Sequence, residues 1–82
     1  MIDSIETALL IIKEQTGLEL KADDYFNGFI VSSKEELYFN IMLKKRTSES
    51  LEFTKLKRFS ENCTWINRIE PNGLNRVAIF FV

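Results

Sequence analysis

The N-terminal stretch of the chain, residues 2–16, repeats apolar residues at the spacing of an amphipathic helix. The apolar stripe of this helix consists of Ile5, Ala8, Leu9, Ile11 and Ile12. Asp3, with Glu6 three residues later, matches a capping box, in which side chains satisfy the free N–H groups of a first helical turn. Gly17 suits the left-handed residue that commonly follows a helix. We therefore predict a helix over residues 2–16, begun by Asp3 and ended by Gly17.

The C-terminal stretch predicts a β-hairpin whose second strand is apolar on both faces. Its strands cover residues 63–70 and 74–82 and are rich in Trp, Ile, Val and Phe, which are good strand formers. Between them, Pro71-Asn72-Gly73 favours a turn. Every residue from Val77 to Val82 is apolar, and such a continuous run is typical of a strand that is buried on both faces. Both faces of the last strand are therefore predicted to need cover.

A second hairpin is predicted in the middle of the chain, with strands over residues 29–32 and 37–45 around a turn at residues 33–36. In the longer strand the residues on one face are Leu37, Phe39, Ile41 and Leu43. The residues on the other face are Tyr38, Asn40, Met42 and Lys44. The first set predicts a face that packs on the core, whereas the second set is mixed. Before this hairpin, residues 18–28 predict a loop with a turn signal at Asn27-Gly28.

The segment over residues 47–62 fits two interpretations. Helical spacing is shown by Phe53, Leu56, Phe59 and Cys63. The run 51–54 alternates as a strand would, but the Lys55–Arg58 run breaks that alternation and favours a helix over about residues 49–61. Thr47 or Ser48 is the expected N-terminal cap, and Asn62 is the expected left-handed stop.

The order of predicted elements is helix, hairpin, helix, hairpin. This order is typical of an α+β fold, and we predict a two-layer sandwich in which a four-stranded, mainly antiparallel sheet carries both helices on one face. The predicted element order is α-β-β-α-β-β. A chain of 82 residues supports one modest core, so residues 1–82 are predicted to form a single domain.

The sheet face turned away from the helices is the predicted interface. If Val77, Ile79 and Phe81 point to the helices, the alternate side chains of the last strand point away from them. The predicted interface residues are Tyr38, Met42, Ala78, Phe80 and Val82. An apolar surface of about 400–500 Å² on this face would reach what monomers usually tolerate. The alternative is that residues 17–28 fold across this face and cover it with Leu18, Leu20, Tyr25 and Phe26.

The composition argues against most kinds of catalytic site. The chain has no His and one Cys, so catalytic triads and zinc sites lack their usual residues, and its three Gly form no phosphate-binding loop. The pairs Asp23-Asp24 and Glu35-Glu36 lie in predicted turns, where acidic residues are routinely solvated. We therefore predict no catalytic residue, metal, cofactor or small-molecule substrate. An enzyme with a carboxylate-only site is the weakest hypothesis.

The cellular location is predicted to be the cytoplasm. Cys63 is the single cysteine and cannot form an intrachain disulfide, which fits a reducing compartment. Met1-Ile2-Asp3 lacks the basic start of a secretion signal. The longest apolar runs are far shorter than the roughly 20 residues that cross a bilayer, so no membrane is predicted as a partner.

The charges are unevenly divided along the chain. The net charge is −1, but residues 1–43 carry −5 and residues 44–82 carry +4. The basic residues that form a candidate phosphate-binding surface are Lys44, Lys45, Arg46, Lys55, Lys57 and Arg58. Four Glu interrupt this half, and the pI of about 5.4 is low for a nucleic-acid-binding domain.

Two functions remain after these exclusions. The favoured hypothesis is a small non-enzymatic protein-interaction module, a homodimer or a subunit of a larger assembly, whose partner is itself or another protein. The alternative is an accessory protein that binds nucleic acid through the basic residues.

Overall fold

A computed structural model describes residues 2–25 and 28–82 of the chain. Its elements are α1 (Ile5–Thr16), β1 (Lys21–Ala22), β2 (Ile30–Val31), β3 (Leu37–Met42), a 3-10 turn (Thr47–Glu49), α2 (Leu51–Glu61), β4 (Ile66–Pro71) and β5 (Arg76–Phe81). The strands form one antiparallel sheet in the order β1-β3-β5-β4, and β2 also pairs with β3. The predicted α+β class is confirmed, with an element order of α-β-β-β-α-β-β. Neither helix of the described residues is long and apolar enough to cross a bilayer.

The first helix begins later than its apolar pattern suggests. It starts at Ile5, because Ser4 is the N-terminal cap and its Oγ accepts a hydrogen bond from the Thr7 backbone N–H at 3.1 Å. The predicted cap, Asp3, instead accepts a bond from the Thr7 hydroxyl at 3.4 Å. The predicted end is confirmed, since Gly17 has a left-handed φ of 79°.

The ambiguous segment over residues 47–62 is helical, but its ends differ from the prediction. Ser50 caps α2 in place of Thr47 or Ser48, because its Oγ accepts a hydrogen bond from the Phe53 backbone N–H at 3.1 Å. Residues 47–49 form the 3-10 turn, so the first residue free to cap α2 is Ser50. Asn62 has a φ of −114°, so the helix does not end on a left-handed residue.

The strand β1 was not predicted, because two residues are too few to show an alternating pattern. It pairs with residues 41–42 of β3, so this part of the 17–28 segment extends the sheet at its edge and does not fold across its face. Phe26 and Asn27, to which we assigned part of a covering segment and of a turn, lie outside the described residues.

The core lies between the helices and the sheet. Its fully buried members include Ala8, Ile12, Phe39, Ile41, Leu56, Val77 and Ile79. The prediction for the last strand is confirmed on both faces, since Val77 and Ile79 on the helix side and Ala78 and Phe80 on the other side are at most 6% exposed. The second cover therefore has to come from somewhere in the same chain.

The packing of α2 on the sheet can be tested with two leucines of this helix. Leu56 is fully buried, so Leu56→Ala is expected to lower the free energy of unfolding by about 2–5 kcal/mol. Leu51 is 78% exposed, so Leu51→Ala is the matched control and should change it by less than about 0.5 kcal/mol. Urea denaturation followed by circular dichroism measures both. Similar losses in the two variants would contradict the observed orientation of α2.

Candidate interaction surfaces

The sheet face turned away from the helices, here called the outer face, brings together four of the five predicted interface residues. Tyr38 lies opposite Phe80 on the neighbouring strand, and Ala78 and Met42 follow on the same face. Ala78 and Phe80 are only 3% and 6% exposed, while Tyr38 and Met42 are half-buried. The chain itself thus covers most of the apolar surface that we expected to find exposed there.

Phe80 is covered by the side chains on either side of it. The Tyr38 ring packs with its centroid 4.8 Å from that of Phe80. From the other side, the guanidinium carbon of Arg68 lies 4.0 Å from the Phe80 ring centroid, a cation–π arrangement. Arg68 reaches this position because it is the direct cross-strand partner of Phe80 on β4. An arginine therefore forms part of the second cover of β5.

Two carboxylates hold Arg68 over the ring. Its Nη2 donates to Glu36 Oε1 at 2.9 Å and its Nη1 donates to the other oxygen of Glu36, while its Nε donates to Glu70 Oε1 at 2.8 Å. The hydrogen bond from Arg68 lowers the pKa of the Glu36 carboxyl, against an opposing effect of desolvation. The hydrogen bonds that Arg68 donates to Glu36 and Glu70 raise the pKa of its guanidinium. We call this group of three residues the Arg68 clamp.

The prediction that the paired acidic residues are solvated is wrong for one member of each pair. Glu36 is held in the Arg68 clamp. Asp23 is fully buried, and its Oδ2 lies 2.6 Å from Arg76 Nε, although that N–H is not aligned for a hydrogen bond. The other oxygen of Asp23 accepts a bond from the Tyr25 backbone N–H at 2.9 Å. Both carboxylates gain their cation from a strand that is distant in sequence, which local turn preferences do not reveal.

The fifth predicted interface residue, Val82, lies at a different surface. It lines an open cavity of about 420 Å³ together with Ile2, Phe29, Leu37, Trp65 and Phe81. The wall is aromatic, with Phe29 edge-on to Phe81 at 5.6 Å and Trp65 stacked on Phe81 at 5.9 Å between ring centroids. We call this feature the apolar cavity. Of the residues that line the cavity, the predicted interface included only Val82. The sequence placed Leu37 on the core face of its strand, and this was the signal that could have pointed to the cavity.

Four exposed apolar side chains lie at or beside the apolar cavity and are here called the rim: Phe29, Val31, Leu37 and Val82. Val31 pairs with Leu37 across β2 and β3, so both side chains lie on the helix-facing side of the sheet. They are nevertheless 65% and 41% exposed, and Phe29 is 40% exposed. At 86%, Val82 is the most exposed of the four. These four exposed side chains lie at or beside the apolar cavity, although other apolar residues of the described chain, such as Leu10, Leu51 and Leu74, are exposed elsewhere.

The six predicted phosphate-binding residues are all exposed and lie on two separate segments of the chain. Lys44, Lys45 and Arg46 lie between β3 and the 3-10 turn, whereas the other three are on α2. On α2, Lys55 and Arg58 line a shallow depression against Gln15 and Thr16 at the end of α1. Lys57 lies away from Lys55 and lines a different depression, with Arg58 and Glu61.

In the part of the chain that the structure describes, these six basic residues differ from the arginines of the sheet in having no ion-pair partner. Within residues 2–25 and 28–82, none of the six has a carboxylate oxygen within 4.0 Å, whereas Arg68 and Arg76 on the sheet are both paired. Their charges are therefore available to an anionic partner.

Comparison with known proteins adds no functional information. No known family, curated protein or solved structure matches this chain. Three surfaces described above are the candidates for a function: the outer face with the Arg68 clamp, the apolar cavity with its rim, and the six basic residues.

Acid is expected to weaken the Arg68 clamp. The folded-state pKa of Glu36 lies below its usual value of 4.5, so its contribution to stability is fully present above the unfolded-state pKa and is lost as the pH falls through the folded-state pKa. Glu36→Gln removes the titrating group, and we expect the melting temperature of this variant to fall less steeply from about pH 6 to about pH 3. Glu35→Gln, at the exposed neighbouring carboxylate, should keep the wild-type slope. Equal slopes for wild type and Glu36→Gln in thermal melts would contradict this role.

Proposed function

We propose that this protein is a small non-enzymatic protein-interaction module whose partner covers the apolar cavity and its rim. The supporting observation is a contiguous group of apolar side chains, Phe29, Val31, Leu37 and Val82, that are 40–86% exposed around a concave site. Apolar patches of this kind on small proteins commonly mark interaction sites. The lack of His, and hence of a general base that titrates near neutral pH, supports the non-enzymatic part of the proposal. The lone Cys63 supports a cytoplasmic location.

The sheet edge at β4 offers a partner less than the apolar cavity does. In the described part of the chain, β4 is an edge strand, but its pairing is irregular between Ile66 and Arg68 and it ends at Pro71. Bulges and prolines are features by which edge strands avoid pairing with other chains. The proposed partner therefore engages through side-chain packing.

The proposed contact surface differs from the interface predicted from the sequence. Ala78 and Phe80 would meet a partner only if the Arg68 clamp opened, so the proposed contact is centred on Val82 and the rim. The partner is either a second copy, which would make the protein a homodimer, or another protein, which would make it a subunit of a larger assembly. Light scattering on the purified chain separates these two versions.

Binding of an apolar dye tests the exposed surface itself. The folded protein at neutral pH is expected to enhance the fluorescence of anilinonaphthalene sulfonate, which binds exposed apolar surface. Leu37→Glu places a charge in the cavity wall and should reduce this enhancement several-fold, because a charged group is poorly accommodated among apolar side chains. Leu51→Glu is the matched control on α2, where the leucine is 78% exposed and outside the cavity, and it should leave the signal unchanged. An equal loss in both variants would refute the cavity as the binding surface.

A second candidate function is nucleic-acid binding through the basic residues. The observation that favours it is the absence of a carboxylate within 4.0 Å of any of the six cations, within the described residues. Unpaired Lys and Arg side chains can neutralise phosphates and release their counterions.

The salt dependence of DNA binding tests this second function. Changing Lys44, Lys45 and Arg46 together to Gln should weaken binding to single- and double-stranded DNA and reduce the slope of log affinity against log salt by about one per lost phosphate contact. Lys34→Gln, an exposed cation on the turn between β2 and β3, is the control and should leave the slope unchanged. Fluorescence anisotropy with labelled oligonucleotides measures both. No wild-type binding at low salt would exclude this function.

A further inference from the structure

We propose that the basic loop at residues 44–46 and the adjoining turn between β4 and β5 bind the surface of a lipid bilayer that carries anionic headgroups. The residues of this surface, here called the basic tip, are Lys44, Lys45, Arg46 and Leu74. Contact with a bilayer surface needs no apolar segment that crosses it, which was the feature considered when the sequence predicted no membrane partner. The basic tip is separate from the apolar cavity, and it gives its three cations a partner other than nucleic acid.

Hydrogen bonds hold the basic loop against the turn between β4 and β5. The Leu43 N–H donates to the Asn75 backbone oxygen at 2.7 Å, and the Asn75 side-chain amide donates back to the Leu43 oxygen at 3.1 Å. On the other side of the loop, the Thr47 N–H donates to the Leu74 oxygen at 2.9 Å. Both ends of the loop are thereby fixed beside the turn, so its three cations and Leu74 belong to one local surface.

The turn that carries Leu74 has a hydrogen-bonded backbone. The Asn72 N–H donates to the Arg76 backbone oxygen at 2.8 Å, and Gly73 has a left-handed φ of 111°. Leu74 follows this glycine at the end of the hairpin and is 69% exposed. Because the backbone is already ordered, burying this leucine against another surface costs little further conformational entropy.

The charge of the basic tip selects an anionic partner. Its three cations are exposed, and no carboxylate oxygen of the described residues lies within 4.0 Å of them. The pKa of Glu19 is lowered first by its hydrogen bond from Lys13 and only last by the charge of Lys44, so this carboxylate is engaged elsewhere. Glu49 is exposed in the following 3-10 turn, but the three cations outnumber it. Lys and Arg side chains in such a group are attracted to anionic headgroups.

Leu74 distinguishes a lipid surface from nucleic acid. Single-strand binders combine their cations with aromatic side chains, on which the bases stack, and an aliphatic side chain does not provide such a platform. An aliphatic side chain flanked by Lys and Arg can instead enter the boundary between headgroups and acyl chains while the cations stay among the headgroups. The combination of an exposed leucine with unpaired cations therefore favours an anionic bilayer.

Co-sedimentation with lipid vesicles tests this proposal. The wild type is expected to bind vesicles of mixed phosphatidylcholine and phosphatidylserine at low salt, to be released as salt is raised, and not to bind pure phosphatidylcholine. Changing Lys44, Lys45 and Arg46 together to Gln should lower the partition coefficient about a hundredfold, because each cation contributes about fivefold near an anionic surface. Leu74→Ser should lower it about tenfold, because the apolar contact is lost.

Matched controls separate the basic tip from charge and apolar surface in general. The three cations of α2, Lys55, Lys57 and Arg58, have the same composition as those of the basic tip and are also exposed. Changing them together to Gln removes the same charge and should weaken vesicle binding only a few-fold. Leu10→Ser, at a 56% exposed leucine of α1, should leave binding unchanged. All of these residues are exposed, and circular dichroism melts verify that each variant folds.

The other outcomes identify what fails. Vesicle binding that Leu74→Ser leaves unchanged, or that the two triple variants weaken equally, would overturn the proposal in favour of general attraction between charges. No binding to anionic vesicles at low salt would also overturn it, and binding of oligonucleotides that the 44–46 variant abolishes would then identify nucleic acid as the partner. Leu37→Glu alters the apolar cavity and should bind vesicles as the wild type does. If Leu37→Glu loses vesicle binding while Leu74→Ser keeps it, the apolar cavity and not the basic tip contacts the lipid.

Discussion

The strand β5 has a neighbour on each edge and apolar side chains on both faces, and this double requirement governs the rest of the fold. Val77 and Ile79 are covered by the helices, as is usual for a two-layer domain. Ala78 and Phe80 point away from the helices and are equally buried. Within the described residues both α-helices lie on the other face of the sheet, so Phe80 is covered by the side chains of Tyr38 and Arg68. The outer face is thus closed by side chains alone.

The Arg68 clamp shows how a charged residue can act as apolar cover. Ion pairs between partly exposed groups contribute little by attraction alone. The position of the guanidinium, 4.0 Å from the Phe80 ring centroid, gives Arg68 a second role, because its flat, weakly hydrated surface replaces water over the ring. Glu36 and Glu70 fix that position. The consequence is that Phe80 is covered within the chain, whereas apolar side chains around the cavity at Trp65 stay exposed.

Sequence patterns predicted most of the helices and strands, but they did not predict where the helices begin or which side chains would meet. Apolar spacing was sufficient for both helices and for β3, β4 and β5, because these elements are long enough to show a period. The caps were misassigned because several Ser, Thr and Asp residues are adjacent at each helix start, and only the backbone path selects Ser4 and Ser50. Of the residues that line the apolar cavity, only Val82 was among the predicted interface residues.

By itself, the sequence determined the α+β class, the antiparallel hairpins and the need to bury both faces of the last strand, since each depends on residues close together in the chain. Only the tertiary structure decided what covers the second face. Arg68 and Glu36 are 32 residues apart, and Asp23 meets Arg76 from the opposite edge of β3. Strand order and register bring these groups together, and neither is encoded in local periodicity. The same long-range pairing places Phe29 and Leu37 beside Trp65, and so forms the cavity.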